Sequence, residues 1–201
     1  MLEYEEKLYN RGIRRVAGID EVGRGTLAGP VTAAAVVLPQ GLIIPDVDDS
    51  KKLSAKKRLE LAEIIKEKAL FYAIGWVSAP IIDKINILQA TYLAMQRALE
   101  NLTEKPEFLL IDGVKGSWQH EIDSIFIKKG DQKSQSIAAA SILAKVARDD
   151  FMVKLHEKYP LYDFANNKGY GTPKHIAALK EHSFCPLHRE TFLKFLEVSA
   201  E

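Results

Sequence analysis

Short apolar runs alternate with stretches of helical spacing along this chain, and that alternation restricts its fold more than any other feature. Residues 16–20, 31–38, 71–78, 108–111 and 124–128 read as strands. Ser54 can cap a helix whose apolar positions Leu59, Ala62, Ile65 and Ala69 recur every three or four residues. A second amphipathic stretch runs through Ile81, Ile85, Leu88, Tyr92, Met95, Leu99 and Leu102 in steps of four and three. A long helix follows from Ser134 to about Tyr159, where Pro160 stops it. Residues 163–172 form a polar, glycine-containing loop, and two short helices, after Pro173 and at 188–198, close the chain. Strands interleaved with helices predict an α/β architecture, a sheet covered by helices. The order of the strands in space does not follow from the pattern.

The chain has 201 residues, 47% of them apolar, enough for one sizeable core, so residues 1–201 are expected to form one domain. Twenty-eight basic residues against 27 acidic ones leave a net charge of +1, and any nucleic-acid contact must then come from local clusters. Two such clusters exist, one of Lys51, Lys52, Lys56, Lys57 and Arg58, the other of Lys128, Lys129 and Lys133. They read as solvated faces or, beside a site that handles phosphate, as the footprint of a duplex. Cys185 is the sole cysteine and cannot make an intrachain disulfide. No apolar run reaches the ~18 residues of a membrane span, and the acidic start at residues 1–6 does not read as a signal peptide. A cytoplasmic monomer that binds no membrane is the expectation. No GxxxxGK[ST], CxxC or HExxH occurs, which argues against a P-loop and against zinc.

The acids carry the sharpest signal. Asp20 and Glu21 end a buried strand and run into the glycine-flanked turn Gly23-Arg24-Gly25, where main-chain N–H groups can approach a ligand closely. Neighbouring strand residues point to opposite faces, so both acids can serve one pocket only if the strand breaks at Glu21 or that residue acts through its carbonyl. Asp112 ends the strand at 108–111, and Asp131 follows Lys128-Lys129-Gly130 where a strand gives way to the long helix. Four carboxylates at strand ends could converge at one sheet edge, and such close like charges would call for Mg²⁺ or Mn²⁺. Elsewhere, Arg148-Asp149 reads as a structural salt bridge or network, and Ser134 and Ser136 as caps. His175 falls in a short helix, Cys185 reads as a small apolar residue, and Tyr170 between two glycines reads as an exposed stacking residue.

Six segments stand out together: Asp20-Glu21-Val22-Gly23-Arg24-Gly25 with Leu27-Ala28-Gly29-Pro30-Val31, Asp49-Ser50-Lys51-Lys52-Leu53-Ser54, Ile111-Asp112-Gly113, Lys129-Gly130-Asp131, the stretch 136–149, and Lys168-Gly169-Tyr170-Gly171-Thr172. As an ordered set they resemble the ribonuclease HII family. The resemblance runs in order from about residue 16 to about residue 190. It implies an RNase H-like mixed sheet flanked by helices, with a small C-terminal helical extension. The core would lie at about 16–160, and the loop and helices of about 161–201 would contribute to substrate binding.

The implied activity is cleavage of the RNA strand of RNA–DNA hybrids, and incision 5′ of single ribonucleotides in duplex DNA, leaving 3′-hydroxyl and 5′-phosphate ends. Asp20, Glu21, Asp112 and Asp131 would be catalytic and hold two divalent ions, Mn²⁺ or Mg²⁺. The resemblance further implies that Gly23, Arg24 and Gly25 grip the ribonucleotide, that Tyr170 stacks on the adjoining deoxynucleotide sugar, and that Lys51 contacts a phosphate. His188-Arg189 fits the family, but Glu190-Thr191-Phe192-Leu193 lacks the usual serine-phenylalanine-x-proline continuation, which bears on C-terminal contacts rather than the chemistry. A ribonuclease HIII-type enzyme would have GTG at 23–25 and an extra N-terminal domain, and a non-catalytic module would not need the acids.

Overall fold

The computed structural model describes residues 1–48, 50, 53–114 and 118–197. Lys51 and Lys52 lie outside these residues. In chain order the elements are α1 (Glu3–Tyr9), β1 (Val16–Val22), β2 (Val31–Val37), α2 (Ala55–Lys68), β3 (Phe71–Val77) and α3 (Ala79–Glu100). After them come β4 (Phe108–Asp112), β5 (Ser124–Ile127), α4 (Gln135–Lys158), α5 (Phe164–Asn167), α6 (Pro173–His182) and α7 (Lys194–Glu197). The strands form one mixed sheet in the order β3-β2-β1-β4-β5. The first three strands pair antiparallel, and β1-β4-β5 pair parallel.

Side-chain alternation divides the core between the two sheet faces. Ala17, Ile19, Ala33, Ala35, Leu109 and Ile111 pack with Ala90, Ala94, Met95 and Ala98 of α3 on one face. Ala34 and Val36 pack on the other against α2 (Leu61, Ala62, Ile65) and α4 (Ala138, Ala139, Ile142). Each large aliphatic side chain buried this way contributes about 1.5–3 kcal/mol. The first turn of α4 lies directly on β1. A Cβ on Gly18 would sit 2.0 Å from the Ser136 carbonyl carbon, so only glycine admits the helix this close.

Ser54 and Ser134 cap α2 and α4 as expected, accepting from the Lys57 and Ile137 amides. Two features depart from the sequence expectation. The helical stretch after residue 79 is broken at Asn86 (φ 67°, ψ 165°), whose Oδ1 accepts from the Leu88 and Gln89 amides and restarts the helix. The N-terminal segment, expected to be only an acidic start, forms α1 instead. Its Glu5 is buried, and Oε1 accepts from the Ser134 hydroxyl (2.6 Å) and from the amide (3.1 Å) and hydroxyl (2.6 Å) of Ser136. That places a carboxylate on the N-terminus of α4, where the helix dipole and free amides favour an anion.

Glu5→Ala should therefore lower stability by about 2 kcal/mol, the scale of a lost helix cap together with buried hydroxyls left unpaired. Glu6→Ala, one position along on the exposed side of α1, should leave the urea midpoint within the small range typical of surface changes. Urea denaturation of the two variants side by side checks this.

Candidate active site: an acidic strand end beside a glycine loop

β1 and β4 run parallel with Ile19 opposite Ile111. Their next residues, Asp20 and Asp112, thus stand side by side at the C-terminal ends of two central strands, on the face that α4 covers. Asp20 is buried, and its Oδ1 accepts the Glu21 amide at 2.7 Å. The Ser141 hydroxyl of α4, 2.8 Å from Ser50 Oγ, stands near enough to Asp20 to lower its carboxyl pKa. Asp112 Oδ1 accepts the Gly130 amide at 2.6 Å, which ties β4 to the 3₁₀ turn that leads into α4. Asp131, the next residue in that turn, is 4% exposed.

Of the two ways open to Glu21, a break in the strand is not the one found. β1 continues through it, pairing Glu21 with Ala33 and Val22 with Thr32 of β2. Glu21 therefore leaves the strand on the face opposite Asp20, where its Oε1 meets Arg24 Nη1 at 3.2 Å. The convergence of all four acids is accordingly only partial. Asp20, Glu21 and Asp112 lie within reach of one another's charge. Among the described residues, however, no three His, Cys, Asp or Glu side chains are gathered into a ready-made metal cluster.

The charges at this strand end are poorly compensated. Burial, then the neighbouring Glu21 and Asp112 carboxylates, pushes the Asp20 carboxyl well above its ordinary range. Glu21 is raised too, by burial and Asp112, against the lowering effect of Arg24. Such a set suits a hard divalent cation: every donor is an oxygen, and a cation would relieve the repulsion that now favours protonation.

The surroundings decide between the remaining readings: of the salt bridge or network open to Arg148 the structure shows the network, and His175 lies in the short helix α6. Arg148 makes no salt bridge with Asp149, which pairs with Lys145 at 2.8 Å; its guanidinium is buried in a network of main-chain carbonyls instead. In the first basic cluster, Lys57 is engaged by Asp46 at 2.7 Å, and Arg58 donates to the Ser50 and Leu53 carbonyls. Lys56, Lys128 and Lys129 remain exposed. His175 is fully buried, with Nε2 3.0 Å from His188 Nε2 and Nδ1 2.8 Å from the Tyr170 carbonyl, so it supports Tyr170 from beneath. Burial raises the Cys185 thiol, which leaves it a packing residue despite the His188 ring 3.3 Å away. Tyr170 is 41% exposed, with Lys145 Nζ 5.8 Å from its ring centroid. A cavity of about 990 Å³ lies between α3 and residues 118–122 and is lined by none of the four acids.

A mixed five-stranded sheet of this order, flanked by helices, is the RNase H-like fold. Residues 17–195 match the family model for ribonuclease HII. The ribonuclease HII of Caldanaerobacter subterraneus subsp. tengcongensis is 53% identical over 191 residues, spanning 95% of this chain and 79% of that protein. That of Endomicrobium trichonymphae is 54% identical over 192 residues, spanning 96% and 91%. The crystal structure of ribonuclease H2 from Pyrococcus horikoshii OT3 superposes with a TM-score of 0.78 at 28% identity, covering 92% of this chain and 98% of that one. The chain belongs to the ribonuclease HII family and is a ribonuclease, a phosphodiester hydrolase of the class that acts on RNA–DNA hybrids.

The raised Asp20 carboxyl gives a pH signature. Between the ordinary carboxylate range and its raised value, the folded protein holds a proton that the unfolded chain has lost, so stability falls as pH rises through that window. In metal-free buffer at neutral pH, Asp20→Asn should melt higher than the wild type by roughly 2–4 °C, the shift that ~1 kcal/mol produces in a chain of this size. The gain should shrink as pH falls and vanish below about pH 3, where the Asp20 carboxyl is protonated in the unfolded chain as well as in the folded protein. Melting curves of both proteins in EDTA from acidic to neutral pH check the sign.

Proposed function

We infer that the chain cuts the RNA strand of RNA–DNA hybrids and incises 5′ of a single ribonucleotide in duplex DNA, leaving 3′-hydroxyl and 5′-phosphate ends. The observation that carries this reading is the side-by-side placement of Asp20 and Asp112 at parallel strand ends, with a charge that only a cation or a proton relieves. Asp20, Glu21, Asp112 and Asp131 are the residues that would hold Mn²⁺ or Mg²⁺. Two such ions, when bound, supply the Lewis acidity that activates a water and stabilises the leaving 3′-oxygen. An incomplete protein shell suits hard ions that keep waters and take a substrate phosphate as ligand.

The chain's own residues do the positioning. Asp112 holds the Gly130 amide and so keeps Asp131 beside the strand end. Arg24 steadies the Glu21 carboxylate at 3.2 Å while keeping part of its guanidinium in solvent. Gly23, Arg24 and Gly25 would read the 2′-hydroxyl, which both donates and accepts and so separates RNA from DNA. Tyr170 would stack on the sugar of the following deoxynucleotide, Lys51 would meet a phosphate, and the helices beyond about residue 161 would extend the duplex contact. We read the enzyme as a single-domain cytoplasmic monomer; among the described residues no helix is long and apolar enough to cross a membrane.

The test is a labelled DNA duplex with one ribonucleotide, assayed with Mn²⁺, with Mg²⁺ and with EDTA beside an all-DNA control. Metal-dependent incision 5′ of the ribonucleotide, absent from the control, is expected. Tight binding with no incision under either metal would reduce the chain to a binding module. Asp112→Asn should lower the rate by roughly 10²–10³-fold or more, as loss of one pre-positioned electrostatic group does, with duplex affinity little changed. Tyr170→Ala should weaken the complex at the RNA-to-DNA junction by about tenfold, the scale of one lost stacking contact, and affect a uniform hybrid less.

A further inference from the structure

Arg148 and Arg189 head the large side chains that are fully buried in this protein. A buried charge is normally paired with one of opposite sign. Neither guanidinium is ion-paired among the described residues: Asp149 goes to Lys145, and Asp83 reaches the turn after Arg189 through main-chain amides. Both arginines instead spend their N–H groups on one segment, the loop from residue 23 to 30. Arg189 donates to the carbonyls of Gly23 (2.6 Å), Arg24 (2.8 Å) and Gly29 (2.9 and 3.1 Å). Arg148 donates to the Pro30 carbonyl (2.9 Å), the Ala28 carbonyl (3.1 Å), the Thr26 hydroxyl (2.9 Å) and, outside the loop, the Lys168 carbonyl (2.9 Å).

A trans peptide is planar, and its C=O and N–H point in opposite directions. With the Gly23 and Arg24 carbonyls turned inward onto Arg189, the N–H groups of Arg24 and Gly25 in those two planes must turn outward. Arg24 and Gly25 are exposed, and no described residue accepts from either amide. Gly23 holds φ at +87°, and a Cβ there would lie 2.2 Å from Arg148 Nε, so the loop can be pressed onto the arginines only with glycine in that place. The result is two adjacent outward N–H donors with uncompensated positive charge behind them, an arrangement that favours an electron-rich oxygen.

We propose that Arg189, backed by Arg148, is a positioning residue that sets ribonucleotide selectivity by holding the Gly23 and Arg24 carbonyls inward, so that the Arg24 and Gly25 amides face the 2′-hydroxyl side of the substrate. The proposal rests on the reading of residues 23–25 as the ribonucleotide grip. Arg189 is itself held by the turn that follows it. The Asp83 carboxylate of α3 accepts the amides of Glu190 (2.9 Å) and Thr191 (3.1 Å) and the Thr191 hydroxyl, and the Phe192 ring centroid lies 5.1 Å from the Arg189 guanidinium.

Selectivity can be read without cleavage in the full-length Asp20→Asn protein, from affinities for two duplexes that differ only in one 2′-hydroxyl. Adding Arg189→Lys keeps the charge but loses the planar fork. It should cut the ribonucleotide-over-DNA preference roughly fivefold or more, the scale of a lost hydrogen bond, while affinity for the all-DNA duplex changes less than about twofold. An unchanged preference, or an equal loss on both duplexes, overturns the proposal and assigns Arg189 to folding alone. If Arg189→Lys does not fold by circular dichroism, Asp83→Ala decides, because it loosens the turn and leaves both arginines in place. A smaller preference supports the proposal, and an unchanged one overturns it. If Asp20→Asn itself shows no preference, the reading of residues 23–25 fails, and this inference fails with it.

Discussion

The contact between the first turn of α4 and β1 organises everything else in this protein. A Cβ on Gly18 would stand 2.0 Å from the Ser136 carbonyl carbon, so helix and strand touch backbone to backbone. From that contact the buried face of α4 reaches three places in turn. Ser134 and Ser136 meet Glu5 at its start, Ser141 meets Asp20, and Arg148 meets the loop at 23–30. At ~1.5 Å per residue, Ser136 and Arg148 are about 18 Å apart along one rigid rod. A tilt of that rod would move the acidic strand end and the glycine loop together. Their relative placement is therefore a property of helix packing, not of either loop.

Charge is distributed against the interest of stability at both ends of this arrangement. Asp20 is buried beside other carboxylates and pushed upward. Beneath the glycine loop that follows β1, Arg189 is pushed down to about 9, first by its burial and next by Arg148. Opposite charges buried in one protein would ordinarily neutralise each other. Here the acids are tied to β1, β4 and α4, and the arginines are tied to carbonyls. Hydrogen bonds that fix each group to backbone keep the two sets from meeting. Stability forgone in this way is the usual mark of a site built for something the free protein lacks. A phosphodiester with bound cations carries both missing signs.

The strands were legible because each is a short apolar run bounded by polar, glycine or proline residues. β1 still outran its expected end, since pairing of Glu21 and Val22 with β2 is non-local and leaves no trace in the local pattern. Ser54 and Ser134 were legible as caps because a hydroxyl before a periodic run has one local use. α1 was not: its seven residues depend on Glu5 reaching α4, some 130 positions away. The break at Asn86 leaves little trace in the sequence because its side chain restarts the helix with the apolar spacing nearly intact. The acids were individually visible. That Asp20 and Asp112 are neighbours required knowing that β1 and β4 pair in parallel, which one-dimensional periodicity does not contain. Arg148 carries a local signal of burial. Ser141, Ala144, Arg148 and Met152 are spaced as one helix face, and all four are buried. That row fits a structural role for Arg148 but does not say what the guanidinium holds, because its acceptors in the glycine loop lie more than 100 residues away.

The C-terminal departure is smaller in chemistry than in letters. The resemblance expects serine and phenylalanine after the His188-Arg189 pair, and this chain has Thr191 and Phe192. Thr191 keeps a hydroxyl, which with its amide engages Asp83, and Phe192 keeps an aromatic ring against the Arg189 guanidinium. Both contacts act on the arginine that orients the loop at residues 23 and 24. A site that reads a hydroxyl through main-chain amides has no side chain of its own to specify at the point of contact. Its specificity has to be written into whatever holds the backbone, and in this fold that is a buried arginine some 165 residues downstream, with α3 bracing it.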